Sequence, residues 1–350
     1  MSPRGPSAPG GAPWWRSAVV YQVYPRSFAD GSGDGIGDLP GLRDRLDHLA
    51  WLGVDAVWIS PIFPSPMHDF GYDVSDYCAV DPTFGTMGDL DGLVTDAHAL
   101  GIKVLLDWVP NHTSHEHPWF VESRSGRESP KRSWYVWRDP GADGSPPNNW
   151  TAAFTNASTW TLDEASGQMY LHQFLPEQPD LCWAEPDVES AMHGVLRFWL
   201  DRGIDGFRMD VIHGIGKDPA LPNDPPEWEG VPHTAINDVP QTHPLLRRIR
   251  TVLDSYDGDR VSVGETFLVG ERVTERTATY LGDDDELHLA FDFGALRSPW
   301  DAAHFRSGIA MVEAAFSGWR WPTWVLSNHD TPRHRTRYGS DARARAAAVL

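Results

Sequence analysis

The sequence has 350 residues, of which 41% are hydrophobic and 22% are charged, a composition typical of globular proteins. Its formal net charge of −20 argues against nucleic acids and anionic membranes as partners, because both require a basic face on the protein. Two cysteines, Cys78 and Cys182, form neither a disulfide framework nor a metal cluster, so we expect free thiols in a reducing compartment. Without a secretory h-region or a membrane-spanning apolar run, the sequence predicts a soluble, cytoplasmic protein that acts on a neutral or cationic small molecule.

The stretch DGSGDGIGD, residues 30–38, has the alternation of a metal-binding loop. Oxygen ligands at alternate positions would come from Asp30, Ser32, Asp34, the Ile36 carbonyl and Asp38. The pattern resembles an EF-hand loop, although Gly41 stands where that loop has its bidentate glutamate. It predicts a structural Ca²⁺ or Mg²⁺ ion, and a glycine- and aspartate-rich turn without metal is the alternative.

Three stretches repeat one pattern, in which an amphipathic helix ends, a glycine follows and a short apolar strand ends on a polar residue. They are LAWLGVDAVWISPI (49–62), AHALGIKVLLDWVP (97–110) and WLDRGIDGFRMDVI (199–212). Gly53, Gly101 and Gly203 occupy the position after a helix at which glycine is favoured. Before the third copy, one helical face carries Met192, Val195, Leu196, Trp199 and Leu200. Repeated helix–strand units predict parallel strands joined by crossover helices.

Buried strands are expected at residues 19–25, 56–62, 103–109, 206–212, 261–267, 287–293 and 323–329. A TIM or (β/α)8 barrel needs eight such strands, and these are seven. The stretch ARARAAAVL (342–350) has the composition of the helix that would follow the seventh strand. We therefore predict an α/β protein with a TIM (β/α)8-type barrel truncated after strand 7. An open doubly wound sheet is the alternative.

The domain organisation is predicted from loop length and composition. Residues 110–182 separate two strands and are rich in Pro, Ser, Asn and Trp, and a bare loop of that length is uncommon. We expect a small inserted subdomain there, subdomain B, with the barrel formed by residues 14–109 and 183–350. Residues 1–13 show no periodic pattern and are predicted to be a disordered leader.

Acidic residues lie at or just beyond the carboxyl ends of four predicted strands, namely Asp107, Asp210, Glu265 and Asp330. In TIM barrels this end carries the chemistry, so the convergence of four carboxylates favours an active site. Any one of them could instead cap a helix or form a salt bridge at the rim of the barrel.

Arg208 and Asp210 stand two residues apart in GFRMDVIH (206–213), so their side chains share one face of a strand. The guanidinium is expected to lower the pKa of Asp210 and to keep it ionised, which suits a nucleophile. Glu265 follows an apolar run, and partial burial is expected to raise its pKa, which suits a proton donor. Two carboxylates in unlike environments are typical of glycosidases. A rim ion pair without catalysis is the alternative.

The stretches DWVPNH (107–112), GFRMDVIH (206–213), GETF (264–267), SNHD (327–330) and QPDL (178–181) resemble signatures of the α-amylase family, glycoside hydrolase family 13. They are most similar to its oligo-1,6-glucosidase and α-glucosidase branch. The resemblance implies a retaining mechanism in which Asp210 is the nucleophile, Glu265 is the general acid and base, and Asp330 stabilises the transition state. It also implies a separation of about 5 Å between the two catalytic carboxyl groups, and a missing eighth strand and C-terminal β-domain.

By the same resemblance, eight residues would bind the substrate: Asp69, Tyr72, His112, Phe154, Gln178, Arg208, His329 and Arg337. Asp69 and Arg337 would close the pocket, which implies exo action on terminal glucose of short α-glucosides. Val211 is the residue type associated with α-1,6 linkages, whereas strict strand alternation would turn it away from Asp210. Three alternatives stay open at this point: a transglycosylase or isomerase on the same scaffold, a non-catalytic accessory module, and a fragment that does not fold.

Overall fold

The computed structural model describes residues 11–349 and contains two β-sheets. The strands are β1 (Val20–Val23), β2 (Ala56–Ile59), β3 (Lys103–Trp108), β4 (Trp137–Arg138), β5 (Trp160–Asp163), β6 (Gln168–Leu171), β7 (Gly206–Met209), β8 (Val261–Gly264), β9 (Leu289–Asp292) and β10 (Thr323–Trp324). The larger sheet has seven strands in the order β1-β2-β3-β7-β8-β9-β10, and every pair in it is parallel. All seven predicted strands are confirmed, and the sheet curls into part of a TIM-type barrel. Strands β3 and β9 end one residue earlier than predicted and the other five end two or more residues earlier. Asp107 therefore lies within β3, whereas Asp210, Glu265 and Asp330 lie in loops beyond their strands.

Helices follow the strands of the larger sheet, and one further helix, α5, lies in the insertion. They are α1 (Pro25–Phe28), α2 (Leu39–Arg43), α3 (Leu46–Leu52), α4 (Met87–Ala99), α5 (Pro118–Arg124), α6 (Pro186–Asp201), α7 (His233–Ile236), α8 (Thr242–Asp254), α9 (Val273–Thr279), α10 (Gly294–Arg297), α11 (Ala302–Ala315), α12 (His334–Tyr338) and α13 (Asp341–Val349). Among residues 11–349, no helix is long and apolar enough to cross a membrane. The cytoplasmic location stays a prediction.

The repeated helix–glycine–strand pattern folds as its sequence predicts. Gly53, Gly101 and Gly203 all adopt left-handed φ angles, of 84°, 77° and 93°, at the turns that lead from α3, α4 and α6 into strands. A side chain at these positions would be strained, because L-residues rarely adopt this conformation. The predicted apolar face of α6 is buried throughout and packs in the main core. The helices therefore cover the outer face of the sheet and leave its carboxyl end open.

The predicted insertion contains the second sheet, which is antiparallel and has the order β4-β6-β5. Aromatic packing holds it together, with Phe120 stacked parallel to Trp137 at 5.7 Å and edge-on to Tyr170 at 5.1 Å. An isolated bridge between His112 and Asp180 ties the two ends of the insertion together above the larger sheet. The boundaries at residues 110 and 182 stay predictions. Residues 1–10 of the predicted leader lie outside the part of the chain that the structure describes.

Candidate active site

The centre of the candidate site is the guanidinium of Arg208, on β7. Its Nη1 donates to Oδ1 of Asp210 at 2.6 Å and to Oδ1 of Asp107 at 2.9 Å. Its Nη2 donates to Oε2 of Glu265 at 2.5 Å. Strand register produces this arrangement. Arg208 pairs with Asp107 of β3, and the next residue of β7 pairs with Gly264 of β8, which directly precedes Glu265. One buried cation thus holds three buried carboxylates, two of which are the predicted catalytic pair.

Beyond β7 the chain turns onto Glu265. The amide of Asp210 donates to the Trp108 carbonyl at 2.8 Å, and the amide of Val211 donates to Oε2 of Glu265 at 3.1 Å. Val211 has φ +33° and ψ 44°, a left-handed conformation that costs a β-branched residue about 1–3 kcal/mol. The turn breaks the strand alternation, so the Val211 side chain packs against Ala153 and Phe174 of the insertion. The residue after Asp210 therefore joins subdomain B to the site.

The predicted pKa directions of the two catalytic carboxyls were wrong. Burial raises the pKa of Asp210 well above its ordinary value, and the lowering by Arg208 does not compensate. Burial also raises the pKa of Glu265, but Arg208 and the Val211 amide outweigh it and hold that pKa below its ordinary value. The two pKa values differ in direction because the carboxyl groups do not receive equal numbers of hydrogen-bond donors. Glu265 receives two donors on one oxygen, whereas Asp210 shares Nη1 of Arg208 with Asp107.

Asp107, on β3, braces the cluster. Besides the bond from Arg208, its Oδ2 accepts from the Tyr72 hydroxyl at 3.0 Å and from Nε1 of Trp58 at 3.1 Å. Trp58 did not figure in the sequence-based site. The signal was present, however, because Val57 and Ile59 pack in the main core on the helix side, and alternation directs Trp58 into the barrel.

Three of the predicted substrate-binding residues form one hydrogen-bonded group, in which Gln178 and His112 are buried and Asp69 is half-buried. Nε2 of Gln178 lies 2.9 Å from Oδ2 of Asp69 and 3.0 Å from Nε2 of His112. Burial raises the pKa of Asp69 to about 6 and lowers the pKa of His112 to about 4. Near neutral pH these three residues therefore offer an ionised carboxylate and a neutral imidazole beside the Arg208 cluster.

Asp330 and His329 reach the site on the loop that follows β10. Nε2 of His329 contacts the Tyr72 hydroxyl at 3.0 Å, and its ring is parallel to that of Tyr72. The Asp330 carboxylate accepts from Nδ2 of Asn328 at 2.9 Å and is 54% exposed, far more than the buried cluster around Arg208. Burial raises the pKa of Asp330 above its ordinary value. The third predicted catalytic carboxylate therefore stands at the mouth of the site.

Two predicted substrate-binding residues lie farther from the cluster. Phe154 is 70% exposed and has a left-handed φ of 69°, with its ring 5.6 Å from that of Phe174. Arg337 donates to the backbone carbonyls of Leu326, Pro332 and Ser298. Within residues 11–349, no hydrogen bond or ion pair joins it to Asp69. In this structure Arg337 holds the loop that carries His329 and Asp330, and the closure of the pocket by Asp69 and Arg337 stays a prediction.

The predicted metal loop, residues 30–38, is closed by its own backbone. Asp30 accepts from the amides of Gly33 and Gly35, Asp34 accepts from the amide of Ile36, and Asp38 accepts from three amides. In the described part of the chain, no three His, Cys, Asp or Glu side chains are arranged as a metal site. As placed, these carboxylates do not form one, because their oxygens already serve the loop. A structural Ca²⁺ or Mg²⁺ ion, with Ser32 among its ligands, stays a prediction.

A partly buried lysine, Lys217, was not found by the sequence reasoning. Nζ of Lys217 lies 3.1 Å from Oδ2 of Asp180, 3.1 Å from Oδ1 of Asn111 and 3.0 Å from the Gly214 carbonyl. These partners come from subdomain B and from the loops after β3 and β7. No local pattern marks Lys217, since its partners are distant in sequence. It couples the insertion to the loop that follows Asp210.

Comparison with known proteins gives consistent results. The family model of the alpha-amylase catalytic domain matches residues 22–350. A probable alpha-glucosidase of Rhizobium meliloti (strain 1021) is 44% identical over 96% of this chain and 64% of the relative. An oligo-1,6-glucosidase of Parageobacillus thermoglucosidasius is 42% identical over 96% of this chain and 61% of the relative. The crystal structure of the alpha-glucosyl transfer enzyme XgtA superposes with a TM-score of 0.88 at 46% identity, covering 95% of this chain and 64% of that one. The chain thus spans 61–64% of the length of these proteins.

Proposed function

The chain belongs to the alpha-amylase family of glycoside hydrolases, and we propose that it is a retaining, exo-acting α-glucosidase. It would release terminal α-linked glucose from short oligosaccharides or disaccharides through a covalent β-glucosyl-enzyme. The main support is the Arg208 cluster, because one guanidinium holds both Asp210 and Glu265 at the open end of the sheet. Two carboxyl groups that contact one guanidinium are close enough for a retaining mechanism, which needs about 5 Å between them.

In the first step of the proposed reaction, an oxygen of Asp210 attacks the anomeric carbon. A carbon–oxygen ester bond forms as the glycosidic bond breaks, and Glu265 gives its proton to the leaving oxygen. Arg208 holds Oδ1 of Asp210, and no hydrogen bond within residues 11–349 engages Oδ2, which leaves that oxygen for the attack. In the second step, Glu265 takes a proton from water, the water oxygen attacks the anomeric carbon, and Asp210 leaves as a carboxylate.

This mechanism needs an ionised Asp210 and a protonated Glu265, whereas the free site favours the reverse placement. The difference concerns placement, because the mechanism requires one proton on the pair and requires it on Glu265. For interacting carboxyls, the apparent pKa values belong to the pair rather than to either residue. A sugar that displaces solvent and approaches Asp210 would favour transfer of that proton to Glu265, whose Oε1 has no partner among the described residues.

The chain of Asp69, Gln178 and His112 would bind the terminal glucose. An ionised Asp69 accepts hydroxyl protons in charge-assisted hydrogen bonds, which are the stronger kind. The neutral His112 can donate or accept one bond, and Gln178 holds both partners in place. This arrangement is suited to a neutral polyhydroxyl ring rather than to an anionic ligand.

The pKa of Asp69, about 6, predicts a pH dependence of substrate binding. As pH falls through that value Asp69 takes up a proton and loses its charge, so KM for an aryl α-glucoside is expected to rise. The rise between pH 7 and pH 5 should be about tenfold, corresponding to the loss of one charge-assisted hydrogen bond. KM and kcat measured from pH 5 to pH 8 check this. In the Asp69→Asn control KM should be high and flat over the same range, and a flat wild-type KM would contradict the assignment.

A transglycosylase or isomerase is the second candidate, favoured by the similarity to the alpha-glucosyl transfer enzyme XgtA. It would use the same glucosyl-enzyme but pass glucose to a sugar hydroxyl instead of water. Chromatography of the products from maltose, isomaltose, sucrose and trehalose distinguishes the two. Free glucose as the main product is expected for the α-glucosidase. Isomers or longer oligosaccharides as main products would replace hydrolysis with transfer, and no conversion of any α-glucoside would contradict both.

A further inference from the structure

Gln22 contacts the site from β1, an edge strand that lies three strands from β7 in the sheet order. We propose that Gln22 is a positioning residue, which holds His329 as the neutral imidazole protonated at Nε2. The inference rests on the proposed function only in so far as His329 belongs to the substrate site. Gln22 itself is half-buried, and its role would be exerted through His329.

The first support is the geometry around the His329 ring. Nε2 of Gln22 lies 2.8 Å from Nδ1 of His329, and Nε2 of His329 lies 3.0 Å from the Tyr72 hydroxyl. The plane of the imidazole is inclined by 4° to the Tyr72 ring and by 13° to the Tyr24 ring, so it is nearly parallel to both. Aromatic packing thus fixes the plane of the imidazole. The remaining variable is which of its two nitrogens carries the proton.

The second support is the direction of the protons, which can be followed from Asp107. Its Oδ1 accepts from Arg208 and its Oδ2 accepts from Trp58, so Asp107 is an acceptor at both oxygens. The Tyr72 hydroxyl has one proton, and that proton is donated to Oδ2 of Asp107. The Tyr72 oxygen accepts from Nη1 of Arg208 at 3.4 Å and, since its own proton is directed at Asp107, it can meet Nε2 of His329 at 3.0 Å only as an acceptor. That contact places a proton on Nε2.

The consequence for Gln22 follows directly. With the proton on Nε2, Nδ1 of His329 is an acceptor and needs a donor. The Gln22 amide NH₂ supplies one hydrogen to Nδ1 and its second hydrogen to Oγ of Ser60 at 3.1 Å. Both hydrogens of one amide group are therefore used, which fixes the orientation of the amide as well as the tautomer of His329.

The tautomer matters because it is linked to the Arg208 cluster. In the proposed state Gln22 donates to His329, which donates to Tyr72. Tyr72 in turn donates to Asp107, which keeps that carboxylate available to Arg208. In the opposite tautomer, Tyr72 would donate to His329 and turn its lone pairs toward the Asp107 carboxylate. That arrangement would lose a buried hydrogen bond and weaken the brace behind Arg208, Asp210 and Glu265.

The test is an NMR measurement on the full chain labelled with ¹⁵N-histidine, because a protonated and a bare imidazole nitrogen resonate far apart. The His329 signals are assigned by their loss in a His329→Gln variant. In the wild type we expect a protonated Nε2 and a bare Nδ1. Gln22→Glu, whose carboxylate can only accept, should place a proton on Nδ1. The matched Gln22→Leu variant offers no acceptor and should keep the wild-type tautomer.

Kinetics supply the second readout. Gln22→Glu is expected to lower kcat/KM for an aryl α-glucoside about tenfold, as the loss of one buried hydrogen bond predicts, and Gln22→Leu by less. A wild-type His329 protonated at Nδ1, or a Gln22→Glu variant with a bare Nδ1, would overturn the proposal. If Gln22→Glu fails to fold, the wild-type spectrum alone decides. A wild type that cleaves no α-glucoside would instead refute the proposed function, since the tautomer is read without turnover.

Discussion

Asp210→Ala is expected to lower kcat for an aryl α-glucoside on the order of 10⁵-fold, because it removes the group that forms the covalent bond. Stability should not fall with it. Asp210 is buried and shares a single nitrogen of Arg208 with Asp107, so its removal relieves a poorly paired carboxylate. A melting temperature equal to or above that of the wild type would therefore accompany the loss of turnover. A surface control, Asp285→Asn, should keep both values, since Asp285 is 49% exposed.

Azide distinguishes the loss of a nucleophile from general damage to the site. In Asp210→Ala a small anion can occupy the space of the missing carboxylate and attack the anomeric carbon directly. The leaving group lies on the opposite face of the sugar, so the product should be the β-glucosyl azide, identified by its NMR coupling. Recovery of turnover without this product, or wild-type turnover in the variant without azide, would remove Asp210 from the nucleophile role.

The fold could be predicted largely from the sequence, because its signals are local. Gly53, Gly101 and Gly203 mark helix ends, and each is followed by an apolar run long enough for one strand. The four carboxylates could be predicted in the same way, since parallel strands bring their carboxyl ends to one edge of the sheet. None of these inferences depends on the register between neighbouring strands.

The electrostatics of the site depend on that register and could not be predicted in the same way. The sequence shows Arg208 two residues from Asp210, which suggests an ion pair between these two residues alone. In the fold Arg208 lies between β3 and β8, so Asp107 and Glu265 compete for the same guanidinium. The left-handed turn at Val211 adds a backbone donor to Glu265 that no residue pattern indicates. The predicted pKa directions of Asp210 and Glu265 were wrong for this reason.

Contacts between loops were also beyond sequence reasoning. Arg337 stands in a stretch similar to the family pattern, yet its donors are used by backbone carbonyls of its own and neighbouring loops. Gln22 was seen only as part of a strand, although it faces His329, which lies 307 residues later in the chain. Such pairs are set by the closure of the curled sheet, in which the loop after β10 approaches β1.

Glu265→Ala is expected to affect the two halves of the reaction differently, and this separates the acid from the nucleophile. Cleavage of a poor leaving group, such as a sugar, needs the proton of Glu265 and should slow by about 10³-fold. An aryl leaving group with a low pKa needs no proton, so its release should proceed as a burst. The glucosyl-enzyme on Asp210 should then accumulate, because no base activates water, and mass spectrometry of the intact protein should find the added glucosyl group.

Azide applied to Glu265→Ala should give the opposite anomer from that obtained with Asp210→Ala. Here the sugar is already bound to Asp210 on its β face, so azide can attack only from the α face, in the space that Glu265 vacates. The product should be the α-glucosyl azide. The same reagent therefore reports which carboxylate stood on which side of the sugar. A β-glucosyl azide from Glu265→Ala, or equal slowing of sugar and aryl substrates, would show that the two roles have been assigned to the wrong residues.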